Sequence, residues 1–313
     1  MTDFRGDRPQ LDLDVRWVHG TPPDGASETG PPLQAHALDE HTWLLRQNKT
    51  THFEGPFLAL LFGADRALLL DTGATADAAV VPLRATVDRL VGDWLERHPR
   101  ERYPLVVAHT HAHGDHVAGD GQFADRPDTV VVGHGVDDVR AFFGFAQWPA
   151  QVVPFDLGGG RVLELTGIPG HHASSVAVLD PWTRVLFTGD TVYPGRIYVE
   201  DSPAFVDSLE RLVALAAERG VQHVIGCHIE LAADGREFPF RTRYQPGEPP
   251  IHQPVDVLTR MLDVARSLDG RRALHRGEGF VVVDLPAVGE LRWRLHGWRL
   301  RVAHARRMRV SNR

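Results

Sequence analysis

The chain has 313 residues, 42% of them hydrophobic and 24% charged, with a formal charge of −7. That apolar share is ordinary for a soluble globular protein and can bury a sizeable core. The mild negative charge argues against nucleic acid as the main ligand, because such binding usually leaves a basic footprint.

The stretch from Met1 to Gln10 lacks the apolar core of a secretory signal. Leu11 to Val18 reads as a first strand, residues 20–35 as a loop rich in Pro, Gly and Ser, and Thr42 to Leu45 as a second strand. Phe57 to Phe62 and Ala67 to Leu70 are apolar runs joined by Gly63 to Arg66, the pattern of a hairpin. Such runs are far too short to span a bilayer. Residues 76–97 carry a helical period through Val80, Leu83, Val87, Leu90 and Trp94, with Pro82 in the first turn. Short strands follow at Leu105 to Ala108, Val130 to Val132, Val162 to Leu165, Val176 to Leu179 and Val185 to Phe187; Asp180-Pro181-Trp182-Thr183 makes a turn. Ser202-Pro203 predicts a helix start with Ser202 as cap, and that helix ends at Gly220. His223 to Ile225 reads as a strand and Val255 to Leu268 as an amphipathic helix. Residues 271–313 hold eleven arginines, three acids and the strand-like run Phe280 to Leu285. That basic tail is expected to be a solvated face rather than a docking site.

A single cysteine, Cys227, excludes an internal disulfide and, with the absence of a signal, points to a cytoplasmic protein without membrane attachment. Of 34 basic residues only Lys49 is lysine, which reads as a compositional bias without functional content. Histidine is different. There are 18, five of them between His109 and His134. In Thr110-His111-Ala112-His113-Gly114-Asp115-His116, three imidazoles and a carboxylate fall within six residues behind an apolar strand. These are the donor types zinc accepts. Packed this closely without a cation they would repel and desolvate one another. Further donors follow later strands, each beside glycine: Gly170-His171, Gly189-Asp190 and Gly226-Cys227-His228. Loops at strand ends carry function on a rigid scaffold.

In that order, Asp71-Thr72-Gly73, His-x-His-x-Asp-His, Pro169-Gly170-His171, Thr188-Gly189-Asp190-Thr191 and His228 resemble the metallo-β-lactamase-fold hydrolase superfamily, in its glyoxalase II and lactonase-like branch. The likeness covers roughly residues 40–235. It implies an α/β fold of αββα type, two mixed β-sheets packed face to face with helices outside. Residues 1–250 would form that domain, with 1–40 as an extension, and 251–313 a C-terminal helix plus the basic tail. It also implies that His111, His113 and His171 hold one ion, that Asp115, His116 and His228 hold another, and that Asp190 bridges them. Asp71 would steady the histidine loop by hydrogen bonds. His172 is expected to pack or meet solvent, and Cys227 to be a small buried residue.

Two zinc ions, with iron or manganese as alternatives, would activate a bridging hydroxide against an ester, thioester or lactone. Asp115 and Tyr193 are the candidate catalytic side chains. Tyr193 would donate to the oxyanion if it faces the site as in the lactonases, and otherwise packs on the sheet. Arg196 is expected in a surface salt bridge rather than on a substrate carboxylate, and Arg241, Arg243 and Tyr244 could edge the pocket. The substrate is expected to be a small molecule, and a homo-oligomer is compatible with the sequence. Rival readings are an iron-dependent oxygenase or redox enzyme, a phosphodiesterase, and a non-catalytic protein with a structural metal.

Overall fold

The computed structural model describes residues 3–22, 30–268 and 271–311. Six strands form the first sheet in sequential order: β1 (Leu33–Asp39), β2 (Thr42–Gln47), β3 (Phe57–Phe62), β4 (Ala67–Leu70), β5 (Leu105–Ala108) and β6 (Thr129–Val131). The second sheet is built from β7 (Val152–Asp156), β8 (Val162–Gly167), β9 (Val176–Asp180), β10 (Val185–Gly189), β12 (His223–Gly226) and β13 (His252–Pro254). Its order is β13-β12-β10-β9-β8-β7. Both sheets mix parallel and antiparallel pairs. A third, small sheet joins β11 (Arg196–Val199), β15 (Phe280–Asp284) and β14 (Leu274–Gly277).

The alternation of side chains along each strand makes the layers. Phe57, Ala59 and Leu61 of β3 face the second sheet and share one core with Leu163, Leu165, Val176, Val178 and Phe187. The intervening Leu58, Leu60 and Phe62 pack outward with Val87, Leu90 and Trp94 of helix α1 (Leu83–Arg97). On the other side, Ala177, Leu179 and Leu186 meet Phe205, Leu209 and Leu212 of helix α4 (Ser202–Arg219), together with Leu258 and Met261 of α5 (Val257–Ala265). Central strands are therefore apolar on both faces. The result is the expected αββα sandwich.

Arg161 ties the two sheets together. It is fully buried, and its guanidinium donates to the carbonyls of His41 and Phe62, to Thr42 Oγ1 at 2.7 Å and to Asp180 Oδ2 at 2.6 Å.

Several local expectations are corrected. Residues 11–19 form no strand. Leu11, Leu13 and Val15 pack on the core, but Asp12 N bonds Leu38 O and Val18 N bonds the Gln34 side chain, so no ladder forms. The strand here is β1, whose first three residues, 33–35, overlap the end of the stretch read as loop; residues 23–29 of that stretch lie outside the described residues. Asp201, not Ser202, caps α4, its carboxylate accepting from Ala204 N at 3.0 Å. The basic stretch is no simple tail. Phe280–Val283 are buried within β15, and a helix, α6, runs Glu290–Ser311. Among the described residues no helix is long and apolar enough to cross a membrane.

Candidate metal centre

The ends of five strands converge on one point. Behind β4, Asp71 takes a left-handed backbone conformation (φ 69°) and sets its carboxylate under the histidine loop. It accepts from Thr110 N at 2.7 Å, Thr110 Oγ1 at 2.9 Å, His116 Nδ1 at 3.0 Å and Cys227 Sγ at 3.3 Å. The loop after β5 carries His111 and His113 and turns at once into α2 (Gly114–Val117), which presents Asp115 and His116. Gly189 (φ 53°) ends β10 so close to Thr110 that a Cβ would lie 2.7 Å from the Thr110 Cβ. Asp190 follows it. Gly170 likewise lets the chain pass Phe205 before His171, and β12 leads to His228.

All seven expected donors meet here in two groups: His111, His113 and His171; and Asp115, His116, Asp190 and His228. In the first, His111 Nε2 lies 2.9 Å from His113 Nδ1 and 3.2 Å from His171 Nε2, and the last two are 3.0 Å apart. In the second, His228 Nε2 is 3.3 Å from both Asp115 Oδ2 and Asp190 Oδ1, and 3.4 Å from His116 Nε2. Asp190 Oδ2 stands between the groups, 3.5 Å from His116, 3.6 Å from His171 and 3.9 Å from His111. Donors around a tetrahedral zinc with bonds of 2.0–2.1 Å are roughly 3.3 Å apart.

Outer partners aim the lone pairs inward. His116 Nδ1 bonds Asp71, His171 Nδ1 bonds Tyr198 O at 2.7 Å, His111 Nδ1 bonds Thr110 Oγ1 at 3.2 Å, and His228 Nδ1 approaches Glu54 O at 3.4 Å. A ring whose outer nitrogen carries the proton offers its inner nitrogen as a ligand. Asp190 Oδ1 is buried and has no hydrogen-bond partner, a costly arrangement that a cation would relieve. The donors present therefore fit two divalent ions.

Electrostatics agree. Burial opposes charge on His228 and His116, but Asp190 outweighs it, with Asp115 pushing His228 up to about 10 and Asp71 helping to hold His116 well above the ordinary range. Burial and repulsion from His116 keep His111 well below it. Burial works against ionisation of Asp190, yet His228 and His116 hold it well below the carboxylate range.

Neighbours of the centre fall as follows. His172 is half-buried against Ser174. His109 pairs with Asp120 at 2.8 Å, outside the seven donors. Tyr193 is buried beside His228, but its hydroxyl donates to the Arg196 carbonyl, with Glu230 at 3.2 Å. Its one proton is used there, so this arrangement leaves none for an oxyanion; its observed role is packing. Arg196 corrects the surface expectation. It is buried, bound to Glu230 at 2.7 Å and to Phe238 O at 2.8 Å. Arg241 edges an adjoining cleft, whereas Arg243 bonds Thr50 O and Tyr244 lines a different surface pocket. Sequence reading missed Glu54, Tyr198 and Glu230 on the wall of the pocket, which encloses about 300 Å³. No spacing marks them.

The family model described as "Metallo-beta-lactamase superfamily" matches residues 57–278. The chain belongs to the metallo-beta-lactamase superfamily. Relatives named hydroxyacylglutathione hydrolase include one from Methylococcus capsulatus, 31% identical over 193 residues, covering 60% of this chain and 70% of its own. Another, from Synechococcus sp. (strain JA-3-3Ab), is 31% identical over 191 residues, covering 56% and 71%. A third, from Halorhodospira halophila, is 30% identical over 162 residues, covering 48% of this chain and 56% of its own. The chain thus spans little more than half the length of that last relative. Among solved structures, a metallo-beta-lactamase from Erythrobacter litoralis, determined with beta mercaptoethanol in its active site, shares the fold. It has a TM-score of 0.50 and 17% identity, over 76% of this chain and 97% of its own.

Asp71→Asn tests the support beneath this superfamily site. Asparagine keeps the size and tolerates the positive φ, but places an amide where four donors converge. Metal affinity is expected to fall roughly 10–100-fold, read by competition with a chelating dye.

Proposed function

We propose that this superfamily member is a metal-dependent hydrolase that cleaves a thioester or a related activated ester. His111, His113 and His171 would hold one ion, Asp115, His116 and His228 the other, and Asp190 both. The observation that carries this reading is the convergence of seven donors, four of the histidines held from behind through their outer nitrogens, around a buried carboxylate oxygen that makes no hydrogen bond. The relatives' name supports a thioester as the first substrate class to try.

Bound there, two divalent ions, zinc first among the candidates, would supply Lewis acidity and lower the pKa of water. The chain's own groups do the rest. Asp115 borders the pocket. Burial opposes its ionisation, but His228 and His116 hold it down to about 2. It is therefore a carboxylate at neutral pH, able to accept a hydrogen bond from the attacking water. Tyr193 walls the pocket and holds His228 by ring contact. Glu54 is pushed up to about 7, chiefly by burial, with His228 opposing.

The test is a panel of thioesters, lactones, phosphodiesters and β-lactams, assayed with zinc and with manganese and after chelation. Metal-dependent turnover confined to thioesters and esters fits the proposal. Turnover confined to phosphodiesters, or undiminished by chelation, contradicts it.

Metal uptake should also release protons. Without metal, Asp190, Asp115 and Asp71 favour the protonated forms of His228 and His116, and each would have to lose its inner proton to ligate. Affinity should therefore rise with pH through the neutral range and fall in acid. Calorimetry in buffers of different ionisation enthalpy should show at least one proton released per chain at pH 7; none released would contradict the assignment.

A further inference from the structure

Lys49, the chain's one lysine, is buried, and its ammonium donates to the carbonyls of Phe53 at 2.8 Å and Glu54 at 3.1 Å. Among the described residues no carboxylate lies in salt-bridge range of it, so one of its three protons has no partner. Burial pushes it down to about 8, with Arg46 adding to the effect and the more distant carboxylates of Glu248, Glu230 and Glu54 opposing it. Buried cations are ordinarily paired. A sequence otherwise using arginine throughout keeps a compact ammonium here, a group that guanidinium does not replace.

Lys49 lines a cleft of about 350 Å³ that shares Glu54, Tyr198 and Glu230 with the metal pocket. Gln245 lines the same cleft. It is 2% exposed, and its amide oxygen is buried with no partner. Phe53, Phe240 and Trp293 supply aromatic walls, the last two stacked at 4.7 Å. The cleft thus offers one spare donor, one spare acceptor and flat apolar surfaces.

We infer that this cleft is a subsite for a secondary amide in the substrate's leaving arm, its carbonyl accepting from Lys49 and its N–H donating to Gln245. A carboxylate would meet Arg241 in the same cleft but has no hydrogen to give the Gln245 oxygen. This rests on the hydrolase reading and narrows it to esters and thioesters of amide-bearing alcohols or thiols.

The test compares two acetyl thioesters with one acyl group, that of N-acetylcysteamine, which carries an amide, and that of butanethiol, which does not. The wild-type protein should favour the first by about tenfold or more in kcat/KM, about 1.4 kcal/mol, since only the amide-bearing arm pairs the cleft's spare polar groups. Lys49→Met and Gln245→Leu should each bring that ratio towards one. Equal turnover of the two probes by the wild type, or an unchanged ratio in both variants, overturns the subsite. The wild-type ratio and Gln245→Leu keep the test decisive if Lys49→Met fails to fold. Acetyl thioesters of glutathione and of pantetheine both carry amides. Preference for either over the butyl probe supports the subsite, and the better of them identifies the thiol. Calorimetry with S-butyl-N-acetylcysteamine, a thioether that cannot be hydrolysed, separates the two levels. Saturable binding lost in Gln245→Leu upholds the subsite even if no thioester is cleaved; no binding to wild type overturns it.

Discussion

Replacing Asp190 with alanine is expected to abolish hydrolysis and to lower metal content in both groups of donors. Asp190 Oδ2 lies within 3.9 Å of His111, His116 and His171, and Oδ1 is 3.3 Å from His228, so one carboxylate serves both halves of the centre. Its removal also takes away the negative charge that raises the pKa of His228 and His116. Losing about 4 kcal/mol of transition-state charge stabilisation is a factor of ~10³ in rate. His113→Ala should be nearly as severe in rate but more local in metal, emptying chiefly the group with His111 and His171. Thioesterase assays paired with metal analysis check both. Full activity in either variant would remove the residue from the site.

Arg161→Met is expected to destabilise the fold by about 3–5 kcal/mol, because it strands Asp180 as a buried carboxylate without its cation. Four of the guanidinium's bonds end at once, and they reach His41, Thr42 and Phe62 on one sheet and Asp180 on the other. The double variant Arg161→Met with Asp180→Leu should recover much of the loss, since the stranded charge is then gone. Urea unfolding measures all three proteins. A loss below about 1 kcal/mol in the single variant would mean the inter-sheet tie contributes little, as surface pairs do.

The donor set was legible because its chemistry is compressed. Four metal-ligating side chains within six residues repel one another unless a cation sits among them, and the remaining three each follow an apolar strand and a glycine. The central strands were legible for a related reason: β3, β4, β5, β9 and β10 are buried on both faces and read as unbroken apolar runs. Edge elements gave no such signal. β1 and β7 are partly exposed, and Leu11 to Val18 alternates like a strand yet its backbone meets β1 through the Gln34 side chain and the Leu38 carbonyl. Helix α6 was hidden by its arginines, since its packed side is carried by Trp293, His296 and Gly297 against Phe240.

Direction of hydrogen bonding is not written in spacing. Tyr193 stands at an offset suggestive of catalysis, but which acceptor takes its proton depends on where Arg196 is buried, and that depends on Glu230 and Glu237 arriving from another segment. Lys49 shows the reverse case. Its rarity was visible as a number, and its meaning emerged only with the cleft around it.

The most direct measurement is anomalous scattering from crystals of protein grown with zinc, collected at the zinc edge. The account predicts two peaks, one among His111, His113 and His171 and one among Asp115, His116 and His228, with Asp190 reaching both. Peaks away from these side chains, or a fully loaded and active protein with a single ion, would contradict it.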